Sequence, residues 1–142
     1  LEPVLQNYNY ISERTKDFDK IEVINKALFY GETHIQLGQC DDNVGGWSFK
    51  HNGNKTEPVE TITLEDFKSI DFVKIDIEGA EVNVIPNSKG IHKIPYLEIE
   101  FHDELLTSWR DYTNEYLTNH ELVFDGSPNR PQHGFFVRKD LI

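Results

Sequence analysis

A chain of 142 residues with 37% apolar, 12% aromatic and 27% charged side chains can bury one sizeable core, which excludes intrinsic disorder and predicts a single domain over residues 1–142. The formal net charge of -11, with Lys16, Lys20, Lys26, Lys50, Lys55, Lys68 and Lys74 scattered along the chain, repels a phosphate backbone and excludes nucleic acid as a partner. No apolar run approaches the roughly 18 residues of a membrane span and no basic-then-apolar leader is visible, so no membrane partner and a cytoplasmic setting are expected; the lone Cys40 suits a reducing compartment.

The opening Leu1-Glu2-Pro3 and the absence of methionine suggest part of a longer reading frame. Pro3 suits a helix N-terminus, and Val4, Leu5, Tyr8 and Ile11 recur at helical spacing, predicting a helix from Pro3 to Thr15 whose apolar stripe packs on a sheet. Ile21 to Phe29 is rich in branched apolar residues and reads as a strand. Thr33 to Cys40 and Val44 to Phe49 read as a hairpin joined by Asp41-Asp42-Asn43, and the polar run His51 to Glu57 as a loop. After an extended Val59 to Ile62, Thr63 and Asp66 form a capping pattern. Asp71 to Asp76 is a β-branched strand, followed by a helical pattern on Ala80, Val84 and Ile85 that Pro86 should end. Tyr96 to Phe101 is the next strand, and Leu105, Leu106, Trp109, Tyr112 and Leu117 share one face of a helix over Asp103 to Asn119. Glu121 to Phe124 and Gly134 to Arg138 close the chain as strands joined through Asp125-Gly126-Ser127-Pro128. Strands alternating with helices imply a doubly wound α/β fold, mostly parallel, with an antiparallel hairpin at its end.

Ligands in open α/β sheets bind beyond the carboxyl ends of the strands, which directs attention to two places. Asp76 ends one strand, and Glu78, Gly79 and Glu81 follow it; Gly79 lets backbone approach a ligand, whereas Glu78 and Glu81 suit equally the first turn of a helix. In Leu97 to His102, alternation sends Glu98, Glu100 and His102 to one face. Acids on a central strand need a partner or a task, although a wet edge strand would also carry them. Asp76, Glu78, Glu100, His102 and Asp103 offer hard ligands, but the histidines show no HxxxH or HxH spacing, so no metal site is assigned from the sequence. There is no GxSxG, and Cys40 falls in the predicted hairpin, which removes nucleophilic catalysis.

The segment Ile62-Thr63-Leu64-Glu65-Asp66-Phe67, followed by Lys74-Ile75-Asp76-Ile77-Glu78-Gly79-Ala80-Glu81, resembles the signature of the FkbM methyltransferases. Leu1-Glu2-Pro3, Asn25 to Leu28 and Pro95 to Glu100 are similar to flanking parts of that family, so the resemblance runs through most of the chain. It implies a Rossmann-like class I methyltransferase fold, S-adenosylmethionine as cofactor, and a small-molecule or glycan acceptor methylated on a hydroxyl. By the same resemblance Glu2 matches the acid that bonds the cofactor ribose, while Asp76, with Glu78 and Gly79, lies beside its amino-acid end. Asp76, Glu100 and His102 are the candidate bases. The family's first strand and glycine-rich loop precede the acid matched by Glu2 and are missing here, so weak cofactor binding and a possible homodimer through an exposed sheet edge are expected. The alternative is a non-catalytic interaction module derived from the same fold; a nucleotide-sugar transferase is less well supported, since Asp76-Ile77-Glu78 only approximates a DxD motif.

Overall fold

The computed structural model describes residues 1–39, 49–51, 54–102, 105, 108–127 and 129–142. They form two compact units, Leu1–Ile62 and Thr63–Ile142. Among them no helix is long and apolar enough to cross a membrane.

In the first unit, helix α1 (Leu5–Thr15) begins where Glu2 Oε1 accepts from Val4 N at 2.9 Å. None of its residues is buried, so the apolar stripe does not seal against a sheet as expected. The strand predicted from Ile21 shrinks to β1 (Ala27–Leu28). Lys26 N instead donates to Ile24 O in a tight turn, and the Asn25 amide donates to Glu2 O and Pro3 O at 2.9 and 3.0 Å. Local bonds there use groups that a ladder would need.

Strands β2 (His34–Gln39), β3 (Phe49–His51) and β4 (Asn54–Ile62) complete a sheet of order β1-β4-β2-β3. Asn54 to Glu57, expected in a loop, belong to β4 because antiparallel pairing with β2 satisfies their backbone whatever the polarity of the side chains. Pro58 is tolerated because β1 pairs only with Thr61 and Ile62, leaving that stretch of β4 without a β1 partner. The turn Asp41-Asp42-Asn43, Cys40 and Val44 lie outside the described residues.

The second unit begins with a single 3₁₀ turn at Leu64–Asp66, where the Asp66 carboxylate accepts from Thr63 N at 2.8 Å and from its hydroxyl at 2.9 Å. Strand β5 (Phe72–Ile75), helix α2 (Glu81–Asn87) and strand β6 (Tyr96–Glu100) follow, then helix α3 (Trp109–Tyr116) and strands β7 (His120–Ser127) and β8 (Arg130–Arg138). The sheet order is β5-β6-β8-β7. β5 and β6 are parallel, joined through α2, and β8 lies between β6 and β7, antiparallel to both.

The mostly parallel sheet expected from the sequence is therefore corrected: the fold is α/β with two mixed sheets, each with one parallel pair and two antiparallel pairs. Parallel neighbours need a crossover, and β2 to β4 have no intervening helix among the described residues. The reversed terminal hairpin is present, with longer strands than expected, and Gly126 at φ 56 sits within its irregular stretch.

Two helix limits also differ. Pro86 lies inside α2 instead of ending it; proline has no N–H for Val82 O, and the Tyr112 hydroxyl donates to that carbonyl at 3.4 Å. α3 starts at Trp109 because Ser108 N donates to Leu105 O, a bond of three-residue spacing. Asp103, Glu104, Leu106 and Thr107 lie outside the described residues. The core of this unit includes Ile75, Val84, Leu97, Ile99, Phe101, Trp109 and Phe136, with the Phe101 and Trp109 rings stacked at 4.8 Å.

Candidate active site

Asp76 follows β5, and the chain then reverses through Glu78 at φ 54 and Gly79 at φ 99 before entering α2. Left-handed backbone is easy for glycine and costs a residue with a Cβ, such as glutamate, of order 1–3 kcal/mol, so the loop must be held by other contacts. Glu81 holds it. Its side chain is fully buried; Oε1 accepts from Ile77 N at 3.1 Å and Oε2 from Gly79 N at 3.0 Å. The first-turn position reconciles this burial with charge, since α2's N-terminus favours an acid.

β6 alternates as expected: Leu97, Ile99 and Phe101 are buried, whereas Glu98, Glu100 and His102 are half-buried on the opposite face. His102 lies just beyond the strand, and its Nδ1 is 3.1 Å from Glu81 Oε1. Both Glu81 oxygens already accept from backbone, so Nδ1 donates and Nε2 points away from Glu81. Around Nε2, Asp76 Oδ1, Glu78 Oε2 and Glu100 Oε1 each stand at 3.9 Å.

The bond to Glu81 raises the His102 pKa to about 8; burial opposes the rise, and the charges of Glu81, Glu78 and Glu100 assist it. Burial raises the Glu78 pKa, against the attraction of His102 and with help from Asp76, Glu81 and Glu100. Lys74 Nζ pairs with Asp76 Oδ2 at 2.5 Å, leaving Oδ1 toward His102. Glu100 Oε1 accepts from Gln132 Nε2 at 3.2 Å, and His133 Nε2 stands 2.8 Å from Oε2 without the alignment of a hydrogen bond.

Asp76, Glu78, Glu100 and His102 are thus brought together at the carboxyl ends of β5 and β6. Gly79 forms part of the same loop, and its N–H donates to Glu81 Oε2. Glu2 belongs to the other unit, where its Oε1 accepts from Val4 N just ahead of α1. Asp76 follows a strand that is largely open: β5 is the outer strand of its sheet among the described residues and only Ile75 of its members is buried. Lys74 and Gln132 carried no site role in the sequence, and Glu81 stood open between a site carboxylate and a first-turn acid; its signal was its place within KIDIEGAE, two residues after the glycine.

Such a cluster can take up a proton, attract a positively charged ligand or hold a cation. No curated protein and no solved structure matches the chain. A family model described as the methyltransferase FkbM domain matches residues 2–121, a span that includes Asp76, Glu78, Glu81, Glu100 and His102. Because that match takes in most of its length, the chain belongs to the FkbM methyltransferase family.

Proposed function

We propose that the protein transfers a methyl group from S-adenosylmethionine to a hydroxyl oxygen of a sugar or natural product, on a Rossmann-like class I fold. The observation that carries this reading is the meeting of Asp76, Glu78 and Glu100 around one edge of His102, inside the segment matched by the family. The reversed hairpin β7–β8 supports the fold reading. One match running across the boundary between the units supports a single methyltransferase domain.

The cofactor supplies an electrophilic methyl group on a positively charged sulfur. The donor set fits it: the Asp76 and Glu78 side chains are partly exposed carboxylates suited to its positive charges, and Gly79 permits close approach. In this reading Glu2 holds the ribose. Asp76, Glu100 and His102 receive the acceptor's proton as a coupled group, and Glu81 sets the orientation of His102. With its pKa raised to about 8, His102 is mostly protonated at neutral pH, and the fraction able to accept a proton grows as the pH rises through that value. A rate climbing through about pH 8 and flattened by His102→Gln assigns it as the base; a rate flat there assigns the role to the carboxylates.

The test is formation of S-adenosylhomocysteine from S-adenosylmethionine over a panel of hydroxylated sugars, followed by mass spectrometry. Turnover by the wild type, reduced roughly 10²-fold or more in at least one of Asp76→Asn, Glu100→Gln and His102→Gln, is the expected result. No turnover with any acceptor, or full turnover in all three variants, overturns the reading.

A second reading, a non-catalytic interaction module, draws on β5. Among the described residues this strand has one neighbour, β6, and its Phe72 is 50% exposed. Such an edge accepts a strand from a second copy, giving a homodimer that light scattering would reveal.

A further inference from the structure

We propose that Asp76, Glu78 and His102 form a site for one divalent cation that takes an imidazole nitrogen together with carboxylate oxygens, of the manganese or zinc class, with Glu81 as the carboxylate that orients the histidine. The site stands on the geometry of the cluster and does not depend on the methyl-transfer reading.

One donor atom from each of the three residues falls within 4.8 Å of the other two. His102 Nε2 lies 3.9 Å from Asp76 Oδ1 and from Glu78 Oε2, too far for a hydrogen bond. Ligands held at about 2.1 Å from an ion stand roughly 3.0–3.4 Å apart in octahedral or tetrahedral spheres, so the three side chains surround a position that an ion would fill by drawing them inward by about 0.5–1 Å. The set is mixed: an imidazole among carboxylates suits manganese or zinc better than an all-oxygen site does.

The histidine is already in the tautomer a metal requires. Its Nδ1 proton is committed to Glu81, which is itself fixed by Ile77 N and Gly79 N, and Nε2 is the atom turned to the carboxylates. A carboxylate behind a histidine is the usual support of a metal-binding imidazole, because it fixes the ring and raises its basicity. Lys74 occupies Asp76 Oδ2 and leaves Oδ1 free to ligate.

An independent feature adjoins the cluster. His133, directly across the β6–β8 ladder from Glu100, is only 8% exposed, and its Nε2 is turned to Glu100 Oε2 but makes no hydrogen bond. His133 Nε2 stands at ion-pair distance from Glu100 Oε2, 2.8 Å, and Glu100 presents its other oxygen to His102 Nε2 at 3.9 Å. Glu100 thereby adds a third negative charge beside the ion without being required as a ligand.

The experiment titrates Mn²⁺ alone into the purified protein, without S-adenosylmethionine, and reads free Mn²⁺ by electron paramagnetic resonance. One ion per chain is expected, with affinity reduced roughly tenfold or more in Glu78→Gln and in His102→Gln. Glu98→Gln, on the same face of β6 but outside the ligand set, should bind as the wild type does. Should a variant fail to fold by circular dichroism, the wild type still decides the matter: bound Mn²⁺ must broaden the His102 ring resonances before those of the other histidines. Absence of saturable binding, binding unaffected in both folded variants, or broadening centred on another histidine overturns the site. Because no methyl donor is present, that result leaves the transferase reading untouched, and failure of the transferase assay leaves this one untouched.

Discussion

The Glu81 carboxylate is sealed from solvent, yet it accepts from Ile77 N, Gly79 N and His102 Nδ1, which compensates a charge that burial alone would make costly. Removing it in Glu81→Ala strands two backbone donors and is expected to cost about 3–5 kcal/mol by denaturant unfolding. The milder Glu81→Gln should move the His102 pKa down from about 8 in metal-free protein, as NMR titration would show, because the bond to Glu81 is the largest cause of the rise. Glu78 allows a second test, since its φ of 54 separates backbone from carboxylate. Glu78→Ala keeps the left-handed strain and Glu78→Gly relieves it, so the glycine variant should be the more stable by about 1 kcal/mol while both lose the carboxylate. At this scale the sequence was partly legible: alternation put Glu100 and His102 on one face, and Asp76 at a strand end. Glu81 was ambiguous because a solvated first-turn acid and a buried one occupy the same position in the pattern, and only the return of β6 beside the loop separates them.

Elements were legible where a local pattern and tertiary pairing agree, as in β5 and β6. They were misread where the two part company. Polar residues Asn54 to Glu57 looked like a loop because strand pairing satisfies backbone and ignores side-chain polarity; Ile21 to Ile24 looked like strand although the Asn25 amide and the Lys26 turn consume the local bonds. In the terminal hairpin, Gly134 faces Phe136 so closely that an added Cβ would lie 2.6 Å from the ring and 3.0 Å from Trp109. Gly134→Ala is therefore expected to cost about 1–3 kcal/mol, read as a lower urea midpoint with little change in slope. His120, at the start of β7, is buried, which lowers its pKa; the bond from Nε2 to Ile94 O at 2.8 Å opposes this, His92 and Arg138 lower the pKa further, and Asp140 raises it. The neutral ring is the folded form. Its contribution is complete above the ordinary histidine value of about 6.5 and is lost as pH falls through the lowered folded value. The stability difference between wild type and His120→Gln should accordingly shrink on acidification below about pH 6.5, with unfolding measured at matched ionic strength.

At the scale of the whole chain, the net charge of -11 and the acidic cluster at the ends of β5 and β6 point to the same kind of ligand, one that carries positive charge and not phosphate. The family was legible because KIDIEGAE joins a strand, a left-handed loop and a buried acid in eight residues, a conjunction far more specific than composition. The mixed sheets were not, because strand order depends on which edges meet and not on the pattern of any one strand. Calorimetric titration of S-adenosylhomocysteine into the purified protein tests the central claim most directly. The account predicts one saturable site, weakened by about tenfold or more, or roughly 1.4 kcal/mol, in Asp76→Ala and in Glu2→Ala. No saturable binding, or affinity unchanged by both substitutions, would contradict it.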